Sequence, residues 1–185
     1  MGGVPTHFCT YFDRGYLSCG YVMLRSLLET QVGNLQVTVL ALDEETQRAI
    51  GRMAPGIVSC IDLQALIKRF PALADARNNR SRTEFIWTLT PCLLGLVLAD
   101  APAGTWTFYA DADLRFFRSV TPLIEEAPNA QVLIHAQNFE PLLRDLERNG
   151  KFNVGLVGFR NLPAARAIAA RWAEQCIESC VHDPA

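Results

Sequence analysis

The residues whose type and spacing most directly suggest chemistry are Asp111 and Asp113, which follow the apolar and aromatic run Trp106–Ala110. That run reads as a buried strand with the two acids at its C-terminal tip. Side chains two apart on an extended chain point the same way, so the strand would carry both carboxylates on one side. Paired hard oxygen donors suit a divalent cation that also holds a phosphate-bearing ligand. Magnesium or manganese fits such donors better than zinc, since nothing softer than oxygen is at hand. Aspartate is also common in turns at strand ends, where it bonds its own backbone, so spacing leaves that reading open.

Other polar residues could meet the same ligand. The run Asp75–Arg82 is polar and arginine-rich and reads as a loop, from which Arg77, Arg80 or Arg82 could donate to a diphosphate. By itself it reads equally as a solvated loop. Asp43 follows the strand-like segment Leu35–Leu42 and is either a ligand-edge acid or the N-cap of a helix opened by Glu44 and Glu45. Asp13 could cap its own helix. His7 and His135 fall within strands as core or rim residues, and His182 lies in a terminal loop.

The elements that must position these residues alternate in type. His7–Phe12 is β-rich and ends at the turn signal Asp13-Arg14-Gly15. Tyr16, Val22, Met23, Leu24, Leu27 and Leu28 then give a helical apolar face, which Gly33-Asn34 closes. Leu35–Leu42 is a continuous apolar, β-branched run, as in a strand buried on both faces. A short helix, a strand at Ile57–Leu63 and another short helix follow. Thr83–Leu98 reads as a long helix that Pro91 should kink or split. After the acidic pair come a helix at Thr121–Glu126, a strand at Gln131–Ala136, a helix at Glu140–Arg148 and a strand at Lys151–Phe159. Pro163 opens a long amphipathic helix running to about Cys180. The strand Lys151–Phe159 holds two glycines, which often mark a close backbone or ligand approach. This βαβ rhythm predicts an α/β fold, a mostly parallel mixed sheet with helices on both faces. Its strand C-termini share one ligand-binding edge.

Bulk properties narrow the function classes. The chain has 185 residues, enough for one well-buried α/β domain, and residues 1–185 read as a single domain. Half the residues are apolar and 19% are charged, a globular composition. A net charge of −2 and no basic run give no footprint for nucleic acid. No apolar stretch reads as long enough to span a bilayer. The N-terminus lacks the pattern of a signal peptide, which suggests a cytoplasmic protein, and Gly2 is a weak match to a myristoylation site. The six cysteines form no CxxC pair and read as reduced, mostly core thiols.

Taken together, these segments resemble the GT-A nucleotide-sugar glycosyltransferases, in the glycogenin-like and galactosyltransferase-like branch, over nearly the whole chain. The resemblance rests on Thr10–Leu17 with Leu24–Leu27, Leu42-Asp43, Arg82–Pro91, the Tyr109–Asp113 motif, and Phe152–Phe159 with Asn153-Val154-Gly155. It implies a Rossmann-like GT-A fold and transfer of a hexose from a nucleotide-diphosphate sugar, a UDP-sugar above all, to a saccharide or other hydroxyl acceptor. By the same resemblance Asp111 and Asp113 hold Mn²⁺ or Mg²⁺ against the diphosphate. Thr10, Phe12, Asp43 and Ala112 line the nucleotide. Arg82 faces the phosphates or sugar, and Asn153 and Gly155 lie beside the transferred sugar. No residue is identified as the base, with Glu140 a bare guess. Members of the family usually continue into an Asp-Gln segment and a late metal-binding His. The chain stops at Ala185, so a domain cut short at its C-terminus is expected. Two alternatives stand beside this reading. One is a catalytically silent nucleotide-sugar or partner-binding domain. The other is a haloacid-dehalogenase-type phosphatase, disfavoured because Leu114 follows the second acid and the motif comes after three strands.

Overall fold

The computed structural model describes residues 4–31 and 33–181; Gly2 and His182 lie outside them. Among these residues six strands form one sheet in the order β3-β2-β1-β4-β6-β5. The strands are β1 (Thr6–Phe12), β2 (Leu35–Ala41), β3 (Val58–Asp62), β4 (Trp106–Ala110), β5 (Val132–Ala136) and β6 (Phe152–Arg160). β1 pairs in parallel with β2 and β4, and β2 with β3, whereas β6 runs antiparallel to both β4 and β5. The sheet is therefore mixed, as expected.

Strand order reverses between β1 and β4. The chain builds outward from β1 to β3 and then returns to lay β4 on the other side, which opens a crevice at the C-terminal ends of those two strands. The sheet's two faces are covered separately. On one, the helices α3 (Leu63–Arg69), α4 (Leu73–Asn78), α5 (Arg82–Asp100) and α7 (Pro163–Glu178) pack over Cys9, Leu40, Tyr109 and Val157. On the other, α1 (Leu17–Thr30), α2 (Glu44–Ile50) and α6 (Thr121–Glu126) cover Phe8, Phe12, Val39, Trp106 and Phe108. Alternation along β1 follows from this, with Phe8, Thr10 and Phe12 facing α1 and Cys9 and Tyr11 facing α5.

Four local expectations change. Asp75–Arg82 is not one loop: α4, anchored by the fully buried Leu73 and Ala76, runs into it as far as Asn78, and α5 starts at Arg82. Pro91 does not divide α5, which is one 19-residue helix started by a capping box between Ser81 and Glu84. Its buried sequence-wide apolar surface, packed between the sheet and α7, holds it through the proline. α5 is also the one described helix long and apolar enough to cross a membrane, with mean hydropathy 1.3, although the sequence reading found no such stretch. Its position between sheet and helix is that of a core helix. Finally, Pro141–Asn149 is a 3₁₀ run, not an α-helix. Leu142, Leu143 and Leu146 stay exposed along it, so no packed apolar face draws it into α geometry. The cysteines are all free thiols, with Cys9 and Cys92 buried and Cys19 exposed.

Candidate active site

Strand β4 ends one residue before Asp111, whose N–H still donates to the Gly155 carbonyl of β6 at 2.8 Å. The chain then turns. Leu114 N–H donates to the Asp111 carbonyl at 3.2 Å, which places Ala112 and Asp113 at the centre of a tight turn. The strand thus positions only Asp111, and the turn delivers Asp113. This corrects the expectation that strand alternation would align both acids. Both carboxylates nonetheless line the same cleft.

That cleft encloses about 410 Å³ over the β1–β4 crevice. Its walls are the end of β1 (Tyr11, Phe12, Asp13), Tyr16, Leu42, the first turns of α5 (Arg82, Thr83, Ile86, Trp87), and Tyr109, Asp111, Ala112 and Asp113. The capped N-terminus of α5 presents its positive end there, which favours an anionic ligand. Arg82 donates to Asp13 Oδ2 at 2.5 Å across the cleft while most of its side chain stays in solvent. A second cleft, about 360 Å³, opens on the other side of Asp111 and is lined by Gln137, Phe139, Leu146 and residues 152–155. Asp111 lines both clefts.

Asp111 is half-buried and its Oδ1 accepts from the Tyr109 hydroxyl at 2.7 Å. Burial raises its pKa above the usual carboxylate value; the Tyr109 bond opposes this and the charge of Asp113 adds to it. Among the described residues Asp111 has no ion-pair partner. Two uncompensated oxygen-donor acids at one cleft are a donor set that fits magnesium or manganese. Asn153 holds the opposite wall: its Oδ1 accepts from Gly155 N–H at 2.7 Å and its amide donates to Gln137. A Cβ on residue 155 would come within 2.9 Å of that Oδ1 and 3.1 Å of Asp111 Oδ2, which explains the glycine.

Other candidates are placed differently. Thr10 is fully buried on the α1 side of β1 and does not line the cleft, whereas Phe12 at the strand end does. Asp43 caps α2 through Thr46 N–H at 2.8 Å and also accepts from Arg14 N–H at 2.7 Å. Burial pushes its pKa up, yet these bonds outweigh that and hold it below the usual value. It secures the loop carrying Asp13 and Tyr16 and does not line the cleft itself. Arg80 turns away and binds the Thr88 hydroxyl and the carbonyls of Cys176 and Ile177 at 2.7–2.8 Å, so it braces α7. Glu140 is exposed and lines neither cleft. His7 bonds Thr38 within the sheet, and His135 is exposed on β5. Asp13 caps the 3₁₀ turn Arg14–Tyr16. The sequence reading missed Trp87, Tyr16 and Gln137 as site residues. Arg82/Ile86 and Thr83/Trp87 are both i,i+4 pairs, a helical stripe that could have revealed the α5 wall; Gln137 carried only its place just after a strand.

No protein-family model matches the chain. It is 26% identical over 184 residues to the uncharacterized protein YfnF of Bacillus subtilis (strain 168), covering 96% of this chain and 60% of that protein. It is 28% identical over 175 residues to the uncharacterized protein YfnD of the same organism, covering 94% and 55%. The chain thus spans little more than half the length of these relatives. Mouse xyloside xylosyltransferase 1, in its apo form, superposes with a TM-score of 0.61 at 17% identity, covering 94% of this chain and 72% of that one. The galactosyltransferase LgtC, solved with donor and acceptor sugar analogues, gives a TM-score of 0.57 at 18% identity, covering 96% and 66%. Both superpositions extend over nearly all of this chain, whose mixed six-stranded sheet flanked by helices has the GT-A fold of these glycosyltransferases.

Proposed function

We propose that the chain transfers a sugar, a hexose, from a nucleoside-diphosphate sugar to a hydroxyl acceptor, with Asp111 and Asp113 holding Mn²⁺ or Mg²⁺ against the diphosphate. The observation that carries this reading is the position of Asp111 at the junction of two clefts. A nucleotide sugar has its diphosphate between two bulky ends and needs such an arrangement. The larger cleft offers Phe12, Tyr16 and Trp87 as flat surfaces for a base, for which uridine is the favoured choice. Arg82 and the α5 N-terminus offer positive charge to the phosphates. Asn153 and Gly155 shape the sugar side, and Gln137 and Phe152 border the space left for a saccharide or other hydroxyl acceptor. At the junction a divalent cation would supply Lewis-acid stabilisation of the charge collecting on the departing diphosphate.

A second reading, binding without turnover, is favoured by one observation: among the described residues no third His, Cys, Asp or Glu joins the acidic pair. Incubating the chain with Mn²⁺, a panel of nucleotide sugars and saccharide acceptors, and measuring released nucleoside diphosphate, separates the two. Release that EDTA abolishes and Asp111→Ala lowers by roughly 100-fold or more is expected. Tight binding with no release supports the second reading, and release unchanged by Asp111→Ala rules out the site.

A further inference from the structure

Tyr109 sits two residues before Asp111, on the face of β4 covered by α5 and α7. Its phenol is 1% exposed, and its O–H donates to Asp111 Oδ1 at 2.7 Å. The ring is itself held against Tyr11 at 5.6 Å, and the Tyr11 hydroxyl is bonded to Thr90 of α5 at 2.9 Å. On the opposite side Asp111 Oδ2 looks toward Gly155, where the missing side chain leaves that oxygen room. A carboxylate whose oxygens are both free can exchange them by rotation; one oxygen in a charge-assisted bond cannot exchange without breaking it.

We infer that Tyr109 is a positioning residue that fixes the rotation of the Asp111 carboxylate, turning Oδ1 into the protein and reserving Oδ2 for the bound cation. The inference rests on the reading of Asp111 as a cation ligand given above. It assigns work to a buried hydroxyl whose hydrogen bond goes to the Asp111 carboxylate. Groups that orient a metal ligand typically govern 10- to 100-fold in metal affinity.

The test titrates the chain with Mn²⁺ in the presence of UDP, following the free ion by electron paramagnetic resonance, for wild type, Tyr109→Phe and Asp111→Ala. Tyr109→Phe should weaken Mn²⁺ binding by roughly 10- to 100-fold while keeping a cooperative melt. A purely packing role would lower the melting temperature and leave Mn²⁺ affinity unchanged, which overturns the inference. If Asp111→Ala also binds as wild type, the cation reading falls and this inference with it; if only Tyr109→Phe does, the cation reading survives alone. Should Tyr109→Phe fail to fold, wild-type chain labelled at tyrosine ¹³Cζ answers the same question. Added Mg²⁺ should then shift the resonance of the buried Tyr109, and an unmoved resonance overturns the inference.

Discussion

Asp111 stands where burial works against its charge, with Asp113 adding to the strain and one tyrosine bond opposing it. A carboxyl whose pKa is raised on folding binds its proton more tightly folded than unfolded. It favours folding below the ordinary carboxylate pKa, and that advantage is lost as pH rises through the raised value. Asp111→Asn has the same shape, is neutral at every pH and can still accept from Tyr109. In cation-free buffer it should therefore melt higher than wild type at neutral pH, with the gap closing on acidification through the carboxylate range. Thermal melts across pH in EDTA check this, and curves that stay parallel would show that Asp111 carries no such penalty. The sequence placed this residue at a strand tip, which the structure shows. It could not place Asp113, because a turn begins between the two and the period-two rule ends with the strand.

Among the elements, α5 and α7 form the brace behind the larger cleft. The last carbonyls of any helix lack intrahelical donors. Arg80 meets those of Cys176 and Ile177 with two guanidinium nitrogens and ties them to Thr88 of α5. Arg80→Ala should cost about 2 kcal/mol, from the lost bonds of a charged donor, and so lower the melting temperature by roughly 4–8 °C in a chain of this size. UDP affinity should be unchanged. A loss of UDP affinity at constant melting temperature would instead return Arg80 to the ligand edge, where its place beside Arg82 had suggested it. Two arginines two apart read alike in sequence. They differ because Ser81 starts a helix between them, sending Arg82 into the cleft and leaving Arg80 outside the helix and against α7.

At the scale of the whole molecule, the site exists because β4 joins parallel strands on one side and the antiparallel β6 on the other. The β4–β6 pairing brings Asn153 and Gly155 to Asp111 from some forty residues away. Its close fit depends on Gly158, where a Cβ would lie 2.4 Å from the Phe108 ring. That ring is buried and stacked against both Phe8 and Trp106. Gly158→Ala should destabilise the fold by about 3 kcal/mol or more through overpacking, seen as a lowered denaturation midpoint or loss of soluble protein. Near wild-type stability would mean that β6 can shift away from β4, and the second cleft would then lose its fixed wall.

What the sequence alone determined was whatever depends on neighbouring residues. The strand leading to Asp111, the βαβ rhythm and the two demanding glycines of β6 all follow from local periodicity and backbone freedom, whereas Asp43 stayed open between a ligand-edge acid and a helix cap until the fold showed the cap. What only the tertiary structure decided was direction and company. Whether Thr10 faced a ligand or α1 depended on which face of β1 met the cleft. Whether Arg80 bound phosphate or a helix end depended on where α7 came to rest. Tyr109 read as one more buried aromatic until the fold set its hydroxyl against Asp111. Such contacts join residues through packing between distant elements, which no local pattern in a single chain records.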